Sequence, residues 1–139
     1  FQVRTTKYVT HYLPWFLGAH ADPACAAKPL TCAYRDDHWC SSYGNSFYAS
    51  NKGAYDITDQ GVIDQQLDEM KDAGLDGIWI DYQSANWDFV VDKLIAGTKA
   101  RGMHFSILID DTINADIMER SRTEMVKWMQ EPHHYRHQG

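Results

Sequence analysis

Three aspartates stand where a chain of this pattern can do acid–base chemistry. Asp81 closes the apolar run "GIWID", and Asp110 and Asp111 close "MHFSILIDD". Breaking a glycosidic bond takes two carboxyl groups flanking it, about 5–10 Å apart according to stereochemical outcome. Acids at the ends of adjacent parallel strands meet that spacing, and a third can hydrogen-bond sugar hydroxyls. Asp111 has an alternative as the N-cap of a helix through "INADIM". Tyr12, Trp15, Trp39 and Tyr82 are candidates for stacking on the apolar faces of pyranose rings. His11 can donate to a hydroxyl or serve as a structural histidine, whereas Trp79, in mid-strand, reads as core.

The elements that must hold these groups repeat. Gly74 and Gly102 are 28 residues apart, and Asp81 and Asp110 are 29 apart. Each interval runs from a helix end through a glycine into a β-type apolar run and then an acid. The pattern predicts a strand over 7–16, a loop over 17–58 and a helix over 59–73. It continues with a strand over 77–82, a helix over 86–101, a strand over 103–110 and a helix over 113–131. Thr58 or Asp59 can cap the first helix and Asn86 the second, with Gly74 and Gly102 as stops. Ile63, Leu67 and Met70 make one apolar helix face; Ile117, Met125 and Trp128 make another. Strands and helices alternating at this spacing imply parallel βαβ units, whose C-terminal strand edge gathers ligand-binding groups.

The fold class expected is α/β, the first three βα units of a (β/α)8 barrel. A long aromatic, cysteine-containing loop follows the first strand. An open doubly wound sheet is disfavoured, because "YLPWFLGAH" offers no glycine-rich phosphate loop. A hydrolase complete in 139 residues would lack any Gly-x-Ser-x-Gly elbow. A whole barrel takes about 250 residues. The expectation is therefore a single barrel domain of which residues 1–139 are the N-terminal part, completed by the rest of its own chain or by another.

Composition excludes several partners. The formal charge is −6, with no Lys/Arg run, which argues against nucleic acid. No apolar stretch nears 18 residues, so no membrane span is expected. Five Trp, eight Tyr and five Phe, many of them in the first 55 residues, suit a carbohydrate surface or packing under long loops. Cys25, Cys32 and Cys40 crowd one loop-rich segment, so a secreted protein with one disulfide is expected, its pairing open. Their spacing fits no zinc site, and neither His133, His134 and His137 nor "DDH" at 36–38 forms a metal-ligand pattern. No metal or cofactor is expected.

At "THYLPWF", "DHW" and "AGLDGIWIDYQ" the chain resembles glycoside hydrolase family 99, the endo-α-mannosidase and endo-α-mannanase group. The shared pattern is a first strand ending Tyr-x-Pro-Trp-aromatic (Tyr12, Pro14, Trp15, Phe16), then a His-Trp pair (His38, Trp39), then Ala73 to Gly77. "AGLDG" is similar to family 71 α-glucanases as well. The family 99 resemblance covers residues 8 to about 111 and implies a secreted barrel glycosidase with an aromatic sugar cleft. It departs after the second strand, where the family has aromatics and this chain has Tyr82 and Gln83. At the end of the third strand Asp110 or Asp111 stands for a sugar-binding glutamate. The family's two catalytic acids lie on later units and have no counterpart here.

The reading is a domain that binds or cleaves an α-linked oligosaccharide of α-mannoside type. Tyr12, Trp15, His38, Trp39, Asp81, Tyr82, Asp110 and Asp111 are its substrate-binding candidates. The alternative is a non-catalytic glycan-binding or structural extracellular module on the same barrel.

Overall fold

A computed structural model describes residues 6–14, 16, 55–82, 87–110 and 117–136. These fall in two compact units, residues 1–13 with 64–139, and residues 14–63. The elements run β1 (Val9–Tyr12), α1 (Gln60–Asp72), β2 (Gly77–Tyr82), α2 (Asp88–Ala100), β3 (His104–Ile109) and α3 (Ile117–Met129). The three strands form one parallel sheet in the order β1-β2-β3. The alternation and parallel pairing expected from the repeat are therefore present. Strand β1 is shorter than the predicted 7–16: its last partner pair is Tyr12 with Ile80, two residues before Pro14, which has no N–H for a ladder.

The repeat has a backbone cause. Gly74 and Gly102 adopt φ of 84° and 61°, left-handed values that favour glycine. After α1, the Gly74 N–H donates to the Lys71 carbonyl and the Leu75 N–H to that of Met70. After α2, Gly102 and Met103 repeat those bonds to Lys99 and Thr98. This six-to-one closure satisfies the last helix carbonyls and turns the chain directly into a strand.

Asp76 then ties the N-terminal ends of the strands together. Its N–H donates to the Tyr8 carbonyl, its carboxylate accepts from the Tyr8 N–H at 2.8 Å, and its carbonyl accepts from His104. Gly77 follows because nothing larger fits: a β-carbon there would lie 2.5 Å from the His104 carbonyl oxygen. The helices are joined by Arg101, which grips the Asp68 carboxylate with two nitrogens (2.7 and 3.0 Å) and also reaches Asp64.

One face of the sheet carries Tyr12, Ile78, Ile80, Tyr82 and Phe105, all buried. Leu67 of α1, Val90, Val91, Leu94 and Ile95 of α2, Met103 and Trp128 of α3 are buried as well and belong to the core of this unit. Truncating such a side chain, as in Leu94→Ala, costs about 2–5 kcal/mol. The other face is uncovered in its middle: Trp79 is 44% and Leu108 41% exposed. Trp79, expected in the core from its mid-strand position, lies on the face opposite the helices, because successive strand residues alternate faces and the helices cover the Ile78 and Ile80 side.

Past α3 the chain returns to the sheet. Phe105 and His134 form a parallel bridge, with the Tyr135 N–H donating to the Phe105 carbonyl at 2.7 Å. This is a single bridge beside β3, outside the three-stranded sheet. His133 and His134 pack on the Phe105 ring, at 4.9 and 5.3 Å between centroids. In the other unit, Phe16 stacks at a tilt on Tyr55 and the Ile57 N–H donates to the Phe16 carbonyl. Asp59, rather than Thr58, caps α1, its carboxylate accepting from the Gly61 N–H at 2.8 Å.

Candidate functional site

Strand parity sorts the candidate residues. In register, His11 lies opposite Trp79, and Asp81 opposite Leu108. His11, Trp79, Asp81, Leu108 and Asp110 therefore share the face turned away from the helices. The Asp110 N–H donates to the Tyr82 carbonyl, carrying the β2–β3 ladder one residue further and placing Asp110 at its C-terminal edge. This is the edge expected to hold the chemistry.

Asp81 is the centre of the group. It is only 5% exposed, yet its one partner among the described residues is His11, whose Nε2 lies 3.9 Å from Oδ2. No described residue donates a hydrogen bond to the carboxylate. Burial pushes its proton affinity above the ordinary carboxylate range; His11 opposes that, and the neighbouring Asp110 charge adds to it. An acid so placed can hold a proton, or accept one, more readily than a solvated aspartate. His11 itself is 47% exposed.

Two of the expected aromatic platforms are elsewhere. Tyr82 is fully buried on the helix face, its hydroxyl donating to Asp88 at 2.7 Å and its ring edge-on to Trp128 at 5.3 Å. Tyr12 is buried on that same face and donates to Gln66 of α1. Neither ring can stack on a ligand at the uncovered face. The reason is alternation: if Asp81 and His11 face the site, their neighbours Tyr82 and Tyr12 must face the helices. That signal was present in the sequence. Applied to Trp79, two residues before Asp81, it identifies an aromatic that does share the site's face.

Trp15, His38, Trp39 and Asp111 lie outside the described residues, as do Asn86, His137 and the three cysteines. Among the described residues no group of three or more His, Cys, Asp or Glu is placed to hold a metal ion. No described helix is long and apolar enough to cross a membrane. A cleft of about 180 Å³ opens between α2 and α3, lined by Asp92, Ile95, Lys99, Lys127, Trp128 and Glu131. It is a weaker candidate, because its charges satisfy one another: Lys127 with Asp92 at 3.3 Å and Lys99 with Glu131 at 3.1 Å.

No protein-family pattern and no curated protein sequence matches the chain. Solved structures do. A glycoside hydrolase family 99 endo-α-mannosidase from Bacteroides thetaiotaomicron, in complex with bis-tris-propane, superposes with a TM-score of 0.72 at 14% identity over 96% of this chain. A second structure of an endo-α-mannosidase from that family and organism gives 0.72 at 15% identity over 95%. The chain spans about two fifths of the length of those proteins, 39% and 42%. At such identity the likeness establishes the fold: an α/β chain with a parallel three-stranded sheet, arranged as part of a (β/α) barrel.

Proposed function

We propose that this chain forms the opening units of a glycoside-hydrolase-like barrel whose strand edge binds an α-linked oligosaccharide, of α-mannoside type. The observation that carries the reading is a buried aspartate, Asp81, beside His11 and Asp110 at the C-terminal edge of a parallel sheet. That sheet belongs to a fold shared with endo-α-mannosidases. Asp81 and Asp110 accept hydrogen bonds from sugar hydroxyls, and His11 donates one. Carboxylates on later units supply the acid and base that cleave the bond. The crowding of Cys25, Cys32 and Cys40 supports action outside the cell.

The test is hydrolysis of α-mannoside-linked oligosaccharides by the intact protein and by its Asp110→Asn variant. The variant is expected to lose activity about 10²-fold, the order of one removed transition-state contact. Unaltered hydrolysis would remove Asp110 from the site. One observation favours a second reading, a non-catalytic glycan-binding module. Burial of Tyr12 and Tyr82 takes away two aromatic surfaces that a tight cleft would use. Glycan binding without any product release would decide for it.

A further inference from the structure

Past the end of α3, residues 133–135 lie along β3 at Phe105. The Phe105 N–H donates to the His133 carbonyl at 3.4 Å, and its carbonyl accepts from the Tyr135 N–H at 2.7 Å. The two imidazoles that pack on the Phe105 ring meet different surroundings. Nε2 of His133 lies 3.0 Å from the Ile95 carbonyl oxygen, which only accepts, so Nε2 carries the proton and Nδ1 is bare. A second proton on His133 Nδ1 meets the Glu131 carboxylate at 3.8 Å, which also holds Lys99 at 3.1 Å. On β3, His104 Nδ1 donates to the His133 carbonyl at 3.2 Å, so a proton added to His104 goes to Nε2 and leaves that bond in place.

His134 has no such outlet. Its Nδ1 is buried with no hydrogen-bond partner among the described residues. A neutral imidazole tolerates this by keeping its proton on Nε2. In an imidazolium both nitrogens are donors, and the enclosed N–H is left without an acceptor. The charges that act on it, Arg136 and His133, have the same sign as its own. Arg136 is held close by its bond to the Met129 carbonyl at 2.9 Å.

We propose that protonation of His134 releases residues 134–136 from β3, with His133 as the anchor that stays, so that acidification uncovers the strand edge beside Phe105. The docked form favours the neutral ring, whereas the released ring titrates near its ordinary value of about 6.5. Docking is therefore complete above that value and is lost as pH falls through the lower docked one. This device does not depend on what the other end of the strands binds.

Amide hydrogen exchange of the intact protein tests it, followed by NMR between about pH 7.5 and about pH 5 and corrected for the intrinsic pH dependence of exchange. Protection of the Tyr135 amide is expected to fall about tenfold or more, the order that one buried unsatisfied donor carries. The His104 and Asp110 amides, which donate to the Asp76 and Tyr82 carbonyls, should hold their protection. His134→Asn should keep Tyr135 protected throughout. Arg136→Gln removes one like charge and should make the fall smaller than in the parent. Constant protection at Tyr135 overturns the proposal, as does a fall shared equally by His104 and Asp110, or a fall of parental size in His134→Asn. Where His134→Asn leaves Tyr135 unprotected already at neutral pH, Arg136→Gln decides, and a fall of parental size there overturns the proposal as well.

Discussion

Asp81 pairs an unfavourable position with a useful one. Because burial raises its folded-state proton affinity above the unfolded value, the neutral form is favoured by folding. Its contribution to stability is therefore greatest at acid pH and is lost as pH rises through the raised folded value. The isosteric Asp81→Asn variant should melt at a higher temperature than the parent at pH 7. That difference should close as pH falls below the ordinary carboxylate range of about 4. A variant less stable than the parent at neutral pH would show the charge to be well accommodated. A site residue that lowers stability is what a trade between function and folding predicts. Tyr82 gives the opposite expectation. Tyr82→Phe removes only the hydroxyl that reaches Asp88, so it should cost about 0.5–1.5 kcal/mol in denaturant unfolding. Ligand binding should not change, because the ring lies on the helix side of the sheet.

Helix ends and strand starts explain how both acids come to the same edge of the sheet, Asp110 two residues further along than Asp81. The same closure at Gly74 and Gly102 launches β2 and β3 from equivalent points, and Asp76 fixes their N-terminal ends. From there, Asp81 is the fifth residue of β2 and Asp110 immediately follows β3. The tightest point is Gly77. Gly77→Ala would bring a methyl to 2.5 Å from the His104 carbonyl oxygen, so β2 and β3 must part at their start. Soluble yield or cooperativity of unfolding should fall sharply, and a well-folded alanine variant would mean that the sheet yields there. These features were readable in outline: glycine, apolar run and acid at a constant interval specify a βα unit. The facing of Tyr12, Trp79 and Tyr82 was harder to read, since β2 is apolar at Ile78, Trp79, Ile80 and Tyr82 alike. An apolar run on both parities carries no label for which side the helices will cover. Only the charged member, Asp81, breaks the tie.

Across the molecule, two groups pull the pH response in opposite directions. His134, bridged to Phe105 beside β3, has its proton affinity lowered by burial and by the nearby Arg136 and His133 charges. A depressed histidine favours the folded state when neutral, so its contribution is complete above the unfolded value of about 6.5 and is lost on acidification through the folded value. Thermal melts from pH 7.5 downward should show stability falling first, with His134→Asn flattening that fall; an unchanged profile in the variant would assign the loss to another group. The sequence by itself determined the order of elements, their parallel pairing, the glycine stops and the acids at strand ends. Those follow from local periodicity and backbone sterics, which neighbouring residues set among themselves. Only the tertiary structure decided that the helices cover the Tyr12 and Tyr82 face and that Asp81 is buried beside His11 on the other. Each of these depends on residues far apart in the chain meeting across strands, and no local pattern encodes that contact.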